Sequence, residues 1–194
     1  MIRNSSGTRI VGKTIESSRL GIVVGGGAPN TGLEIAGNQI TVNPLFEVTT
    51  AGGGVQQGIA FAAPPLGQEP NSDVTVHENT ITGMRDGIVA AGPPNAARAS
   101  LTDSTISLNT ANDNLRDGIV LRGLNTRNTV SNNAADRNGR YGIYAQGAIR
   151  NVFQTNRMFG NGDTDARDEN RPANSWTGNQ CLTDFPAGTI CGVG

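Results

Sequence analysis

The chain has 194 residues, which is enough to bury a substantial core within one domain. Its formal net charge of −1 gives no reason to expect the basic face of a nucleic-acid-binding protein. With 27 Gly residues and only 4% aromatic residues, the composition argues against a helical bundle and predicts many turns. No apolar run approaches the length of a membrane span.

Five segments along the chain share the pattern Gly-Ile followed by a small or apolar residue or Tyr. The segment RDGIV occurs twice, and three looser copies accompany it. In chain order the five are RLGIV (19–23), QQGIA (56–60), RDGIV (85–89), RDGIV (116–120) and RYGIY (140–144). Recurrence of this kind predicts that one structural unit is repeated along the chain.

A second repeated pattern consists of an apolar residue, two spacers, a central residue that is usually Asn, one spacer and a second apolar residue. The central residues in chain order are Lys13, Asn38, Asn79, Ser104, Asn133, Asn156 and Asn179. Their spacing is 23 to 29 residues except for one step of 41, whose excess falls on the loop-like segments 43–57 and 62–73. A period in the twenties without a helical stripe predicts a solenoid of β coils, each with about three strands and three turns.

Side chains alternate along a strand, so each coil should send one set inward and the next set outward. The predicted inward column is Ile22, Ile59, Ile88, Ile119 and Ile143, and the predicted outward column is Val23, Ala60, Val89, Val120 and Tyr144. We expect the central Asn residues to occupy left-handed bends and to bond the equivalent amide one coil away. Ser104 and Lys13 should interrupt that ladder, and each repeat Gly should occupy a turn or a close backbone approach.

This arrangement resembles the right-handed parallel β-helix repeat proteins of the pectate-lyase-like architecture, from Ile10 to Cys191. The segment NSWTGNQCLTDFPAGTICG (174–192) is similar to the closing segment of exported bacterial β-helix proteins, in which N-x-W-x-x-N-x-C and P-A-G-x-x-C end the last coil. The resemblance implies an all-β, single-stranded solenoid of six to seven coils. It also implies one domain over residues 1–194, with a closing coil and cap over 160–194.

The resemblance does not supply a catalytic set, because the fold hosts lyases, hydrolases, epimerases, tail-spike proteins and scaffolds. The N-T-D, G-H-G and R-I-K signatures of polygalacturonases are absent from the chain. The W-I-D-H of pectate lyases and the D-P-H of mannuronan epimerases are absent as well.

An Arg column is the first candidate site. The residues Arg19, Arg85, Arg116 and Arg140 each lie three positions before a repeat Ile, so stacked coils should align them along one edge. Such an edge suits an anionic polysaccharide, whose carboxylates match Arg forks. The alternative is a solvated turn, since Asp86 and Asp117 follow two of the Arg residues and can neutralise them.

The loops that follow the GI segments should project from one side and, with the insertion at 43–57, wall a groove. Candidate catalytic residues near this groove are His77, Glu78 and Arg98, and Glu47 and Asp73 lie nearby. His77 should face outward because it follows the inward Val76, and an ordinary surface His is the alternative. Tyr141, Tyr144 and Phe159 are expected to be exposed and able to stack on sugar rings, with Tyr144 assigned to substrate binding.

The acidic run DTDARDEN contains Asp163, Asp165, Asp168 and Glu169, which offer oxygen ligands for calcium. The first three are the candidate metal ligands, and a solvated loop is the alternative. No other cofactor is predicted.

Cys181 and Cys191 are the only cysteines and lie close together, which favours one disulfide and export to a secreted or cell-surface location; two reduced thiols are the alternative. The start of the chain enters the repeat without a capping helix. We therefore expect a longer solenoid or a partner subunit to cover that end.

Two functions remain open at this stage. The first is a carbohydrate-directed protein that binds an acidic, uronate-containing polysaccharide or acts on it as a lyase or epimerase. The second is a non-catalytic scaffold or surface interaction module. An ice- or mineral-binding face is disfavoured, because no regular Thr-x-Thr columns are apparent in the sequence.

Overall fold

The computed structural model describes residues 1–3, 5–17, 19–25, 29–43, 56–91, 98–170 and 173–192, and within these ranges the regular structure consists of β-strands. No helix in this part of the chain is long and apolar enough to cross a membrane. In chain order the strands are β1 (Arg9–Val11), β2 (Thr14–Ser17), β3 (Leu20–Val24), β4 (Glu34–Ala36), β5 (Gln39–Val42), β6 (Gln57–Ala62), β7 (Asn71–Ser72), β8 (Thr75–His77), β9 (Thr80–Thr82), β10 (Asp86–Ala91), β11 (Leu101–Thr102), β12 (Thr105–Ser107), β13 (Thr110–Ala111), β14 (Asp117–Arg122), β15 (Thr129–Ser131), β16 (Tyr141–Gln146), β17 (Val152–Gln154), β18 (Arg157–Met158), β19 (Thr164–Asp168), β20 (Ser175–Thr177), β21 (Gln180–Cys181) and β22 (Asp184–Phe185).

The strands form three parallel faces that each run along the molecule. The first face is the seven-stranded sheet β1-β4-β8-β12-β15-β17-β20, and the third is the seven-stranded sheet β3-β6-β10-β14-β16-β19-β22. The second face contains β2-β5-β9-β13 and the pair β18-β21, and β7 pairs with β11 beside the first face. The chain visits the three faces in turn and then repeats them, which confirms the predicted all-β parallel β-helix. We call the third face the GI sheet, because it carries the repeated Gly-Ile segments.

Equivalent residues of successive coils lie in register, so like side chains stack on like. In the GI sheet Ile59, Ile88, Ile119 and Ile143 are direct neighbours along the column. Each of these side chains is fully buried, which contributes about 1.5–3 kcal/mol per residue relative to leaving it exposed. The predicted inward column is therefore present and forms one wall of the core.

The core contains two aromatic residues near the end of the first face. Phe153 in β17 and Trp176 in β20 stack with their ring centroids 4.0 Å apart and their planes 9° apart. Both side chains are buried inside the solenoid, as the repeat pattern predicted.

The Gly of each GI segment is required by a close approach between coils. A Cβ on Gly87 would lie 2.5 Å from the carbonyl oxygen of Gly118, and one on Gly118 would lie 2.6 Å from that of Gly142. No side chain fits at such distances, so RDGIV repeats because the backbones of neighbouring coils meet there.

The bends correct one expectation about Asn. In four coils the residue immediately before the ladder Asn is in the left-handed region: Glu78, Leu108, Asn132 and Thr155 have φ values of 55° to 58°. The ladder Asn residues themselves are absent from the positive-φ positions. The bend therefore lies one residue before the ladder Asn. The Asn side chain is buried and donates a hydrogen bond to the next coil.

The Asn ladder itself is present. Asn38, Asn79, Asn109, Asn133, Asn156 and Asn179 follow one another, each donating its side-chain amide to the Oδ1 of the next at 2.8–3.0 Å. The member in the fourth coil is Asn109, so the assignment of Ser104 to this position was wrong. Ile106 ends the repeat pattern that has Ser104 at its centre and also begins the one that has Asn109 at its centre. Ser104 belongs to a second ladder, which continues through Asn128, Asn151 and Asn174.

Candidate functional site

The outer side of the GI sheet carries a second apolar cluster, separate from the core. Val89, Val120, Tyr141 and Tyr144 pack together there, and all four side chains are buried. The expectation that Tyr141 and Tyr144 are exposed is wrong: their side chains do point away from the core, but they retain only 8% and 5% of their accessible surface. Neighbouring charged groups cover them, since the guanidinium of Arg140 lies 4.5 Å from the ring centre of Tyr141.

The predicted Arg column is aligned along one edge of this sheet. The backbone N–H of Arg116 donates to the carbonyl of Arg85 at 2.7 Å, and that of Arg140 donates to the carbonyl of Arg116 at 2.7 Å. Arg19 lies at the equivalent point of the first coil, because its carbonyl accepts from Gln57 at the start of β6. The four residues therefore lie along one edge of the solenoid.

Two of these Arg side chains are held by buried carboxylates. Arg116 forms a two-pronged pair with Asp86 of the preceding coil, at 2.8 and 2.7 Å. Arg140 pairs in the same way with Asp117, and both Asp side chains are almost completely buried. Burial raises the pKa of Asp86 above its ordinary value, while the hydrogen bond from Arg116 acts in the opposite direction.

Arg85 lacks such a carboxylate in the preceding coil, although its charge acts to lower the pKa of Asp86, the next residue in the chain. In the register of the GI sheet, Asp117 aligns with Asp86, and Asp86 aligns with Gln57 of the preceding coil. At the place where Arg116 and Arg140 find an Asp, Arg85 therefore has the neutral side-chain amide of Gln57. Its Nε is buried and has no hydrogen-bond partner, and among the described residues no carboxylate lies within ion-pair distance of it.

A shallow cavity of about 310 Å³ lies on the same outer side, over the first three coils. Its lining is mainly apolar and includes Phe61 of the core, and Leu20 and Gln57 border it where the Arg column begins. The residues that form it include Leu20, Val23, Gln57, Ala60, Val89 and Ala91. An apolar floor beside guanidinium groups suits a ligand with one apolar face and acidic substituents.

The C-terminal half of this outer side carries a hydrogen-bonded network around Glu169. The hydroxyl of Tyr144 donates to Glu169 at 2.8 Å, and Gln146 and Arg167 donate to it at 3.0 and 3.1 Å. Burial raises the pKa of Tyr144 well above its ordinary value, and the hydrogen bond to Glu169 adds to that shift. Burial alone would raise the pKa of Glu169, but the hydrogen bonds from Tyr144, Arg167 and Gln146 outweigh it and lower the pKa.

Comparison with protein families assigns the fold. A family model described as a right-handed beta helix region matches residues 66–183, which is more than half of the chain. The chain belongs to the right-handed β-helix family. No curated protein gives a significant match to this β-helix protein, so the comparisons supply the family and no activity.

The structure brings together two of the three candidate catalytic residues, His77 and Glu78. His77 lies on the outer side of the first face, with its Nε2 3.2 Å from Glu34 Oε1 and its Nδ1 3.6 Å from Glu78 Oε1. Glu78 is in the bend, as one reading of the sequence expected. Arg98 lies on a different segment and donates to the carbonyl of Pro64 at 3.1 Å.

A groove of about 390 Å³ beside His77 includes Glu34 and Asp73. Hydrogen bonds from Arg9 and then His77 lower the pKa of Glu34, so this carboxylate is engaged within the protein. Glu47 lies outside the described residues, as do parts of the loops 25–32, 43–57 and 91–98.

Two of the candidate calcium ligands terminate Asn ladders. Asp165 Oδ1 accepts from both nitrogens of Asn161, and its Oδ2 accepts from the backbone of residues 182 and 183. Asp168 accepts from Asn174 and, at 2.8 Å, from the indole of Trp176. Asp163 is exposed, and within the described ranges no group of three or more His, Cys, Asp or Glu side chains is arranged to hold a metal ion.

Cys181 and Cys191 form a disulfide in the structure. The sequence reasoning missed the roles of Gln57 and Glu169. Gln57 could have been found by aligning the GI segments, where it stands at the position that Asp occupies in both copies of RDGIV. Glu169 had no such signal, because its partners Tyr144 and Gln146 come from the preceding coil.

Proposed function

We propose that this β-helix protein binds an acidic polysaccharide along the outer side of the GI sheet. The observation that carries the proposal is the cavity of about 310 Å³, with a mainly apolar lining, next to an Arg column whose members Arg19 and Arg85 form no ion pair with a carboxylate of the described residues. A sugar ring presents an apolar face to such a floor, while the carboxylates of a uronate match guanidinium forks. The cavity is open and shallow, which suits a polymer.

Binding is favoured over elimination or epimerisation because Tyr144 and Glu169, two titratable groups on the outer side of the GI sheet, are both engaged in one hydrogen-bonded network. Proton abstraction next to a carboxylate needs a group that is unprotonated near the working pH. Tyr144 has a raised pKa and donates a hydrogen bond to Glu169, so it is held in the protonated form. Glu169 is ionised but occupied by three donors.

The proposal includes export and a closed C-terminal end. The Cys181–Cys191 disulfide favours an oxidising compartment. We assign Trp176, which lies on the last strand of the first face and stacks on Phe153, to the closure of the core at that end.

The test is retention on immobilised polygalacturonate and alginate, with a neutral glucan of similar length as the reference. We expect retention on the two acidic polymers that weakens as salt rises, because the contacts are ionic. Ultraviolet absorbance of the eluate reports elimination, and we expect none. If neither acidic polymer retains the protein at low salt, the scaffold function replaces this proposal.

A charge-matched control is available on the opposite edge. Lys13 is exposed at the bend between the first and second faces, away from the GI sheet. Lys13→Gln removes one positive charge and should leave retention unchanged. A loss equal to that of an Arg-column variant would show that only net charge matters.

A further inference from the structure

The Arg column and the buried Asp residues form one alternating ladder of charges. Each guanidinium reaches back to the carboxylate of the preceding coil: Arg140 binds Asp117, and Arg116 binds Asp86. Arg116 also lies 3.3 Å from Asp117 in its own coil, so the charges are linked across coils. The ladder therefore repeats one kind of site, a guanidinium that binds a carboxylate through both oxygens. These sites lie beside the outer side of the GI sheet.

At Arg85 the ladder lacks the carboxylate of the preceding coil, and the charge of Arg85 acts on Asp86 of its own coil. The residue that aligns with Asp86 one coil earlier is Gln57, which carries no charge. Arg85 Nε is buried and makes no hydrogen bond, and in the described part of the chain Arg85 takes part in no ion pair. Arg85 itself is half-buried, and a buried N–H that makes no hydrogen bond is costly, so this position favours a ligand that supplies the acceptor.

The missing carboxylate position borders the cavity described above. Gln57 belongs both to the ladder, by register, and to the cavity lining together with Leu20, Ala60 and Val89. We propose that a carboxylate of the bound saccharide takes the place that Asp occupies in the following coils, and pairs with Arg85 beside Gln57. This inference rests on the proposed function and assigns it a carboxylate subsite.

The chemistry of the site favours a carboxylate over a sulfate ester. The two occupied positions of the same ladder are filled by carboxylates, each bound through both oxygens by one guanidinium. A planar fork matches a planar acceptor with two oxygens. A sulfated polymer shares the charge, so it serves as the comparison ligand.

Two substitutions test the subsite from opposite directions. Arg85→Gln removes the guanidinium, and Gln57→Asp supplies the missing carboxylate within the protein, so that Arg85 is already occupied. We expect both variants to bind oligogalacturonate at least about tenfold more weakly than the wild type, the scale of one charge-assisted hydrogen bond. Lys13→Gln should bind as the wild type does, and a sulfated oligosaccharide of equal charge should bind more weakly than the uronate.

The melting temperature separates the subsite from a folding defect. Gln57→Asp should melt no lower than the wild type, because the new carboxylate completes the ladder. Loss of binding together with a lowered melting temperature in both variants would overturn the inference, as would wild-type affinity in either of them.

A separate readout distinguishes failure of this inference from failure of the proposed function. The Nε–Hε resonance of Arg85 should shift when galacturonate monomer is added to the wild type, and should be shifted already in Gln57→Asp without ligand. If acidic polymers are not retained but the monomer moves this resonance, the subsite stands and the polysaccharide function fails. If polymers bind and the resonance does not move, the polysaccharide function stands and the subsite fails.

Discussion

The Asn ladder should be a major source of stability, and Asn133→Ala tests it. The side chain of Asn133 makes four hydrogen bonds: Oδ1 accepts from the backbone and side-chain nitrogens of Asn109, and Nδ2 donates to Ile106 O and Asn156 Oδ1, all at 2.9–3.0 Å. It is 2% exposed, so water does not replace the lost partners. At about 0.5–1.5 kcal/mol per bond, the free energy of unfolding should fall by about 2–6 kcal/mol.

The assay is urea unfolding, with amide hydrogen exchange at Asn109 as a local probe. The control is Asn132→Gly, one residue earlier, because Asn132 is exposed and has a φ of 56° that Gly adopts without strain. We expect the control to change stability by no more than about 0.5 kcal/mol. If Asn133→Ala unfolds at the same urea concentration as the wild type, the ladder is not a stabilising element and the reasoning fails.

Three further variants probe the charges and the aromatic stack. Arg140→Gln removes the two-pronged partner of the buried Asp117 and leaves it only the 3.3 Å contact with Arg116, so the unfolding free energy should fall by about 1.5–3 kcal/mol, the scale of a hydrogen bond to a charged group. Trp176→Ala empties the end of the core and should cost about 3–5 kcal/mol by urea unfolding. The hydrogen bond from Arg127 lowers the pKa of Asp103, so Asp103→Asn should lower the melting temperature at pH 6 but not at pH 2.

The sign of the last effect follows from linkage. A carboxyl whose pKa is lower in the folded protein stabilises the fold above its ordinary value of 3.8, and that stabilisation is lost as the pH falls through the folded value. A constant difference between Asp103→Asn and the wild type over the whole range would contradict it. For the other two, unfolding free energies within about 1 kcal/mol of the wild type would refute the assigned contacts.

Much of the fold was predictable because the repeat appears directly in the residue order. The spacing of the GI segments placed Ile59, Ile88 and Ile119 in one inward column, and the structure confirms this. The register of the Asn ladder was wrong in one coil, where Ser104 was chosen in place of Asn109. Two ladders run five residues apart in the same coil, so spacing alone could not decide which polar residue belongs to which.

The candidate site was predictable only in its coarse position. Spacing aligned Arg85, Arg116 and Arg140, but not the carboxylate that each side chain binds. Which carboxylate an Arg binds depends on the coil towards which its side chain points, and the side chain of Arg116 points to Asp86 of the preceding coil. The exposure of Tyr144 was also mispredicted, because side chains of the neighbouring coils, Arg122 and Glu169, cover this outward position.

The sequence by itself determined the solenoid, the all-β class and the edge on which the Arg residues align. These features depend on local periodicity, because the same residue pattern recurs in each coil. The tertiary structure alone decided which charges are neutralised, that Asp165 and Asp168 end ladders, and that a cavity lies beside Gln57. The ion pairs and the cavity join residues of different coils, such as Arg116 and Asp86, 30 positions apart, so they exist only once the coils are stacked. The contacts of Asp165 and Asp168 join residues four and six positions apart, and they depend on where each ladder ends.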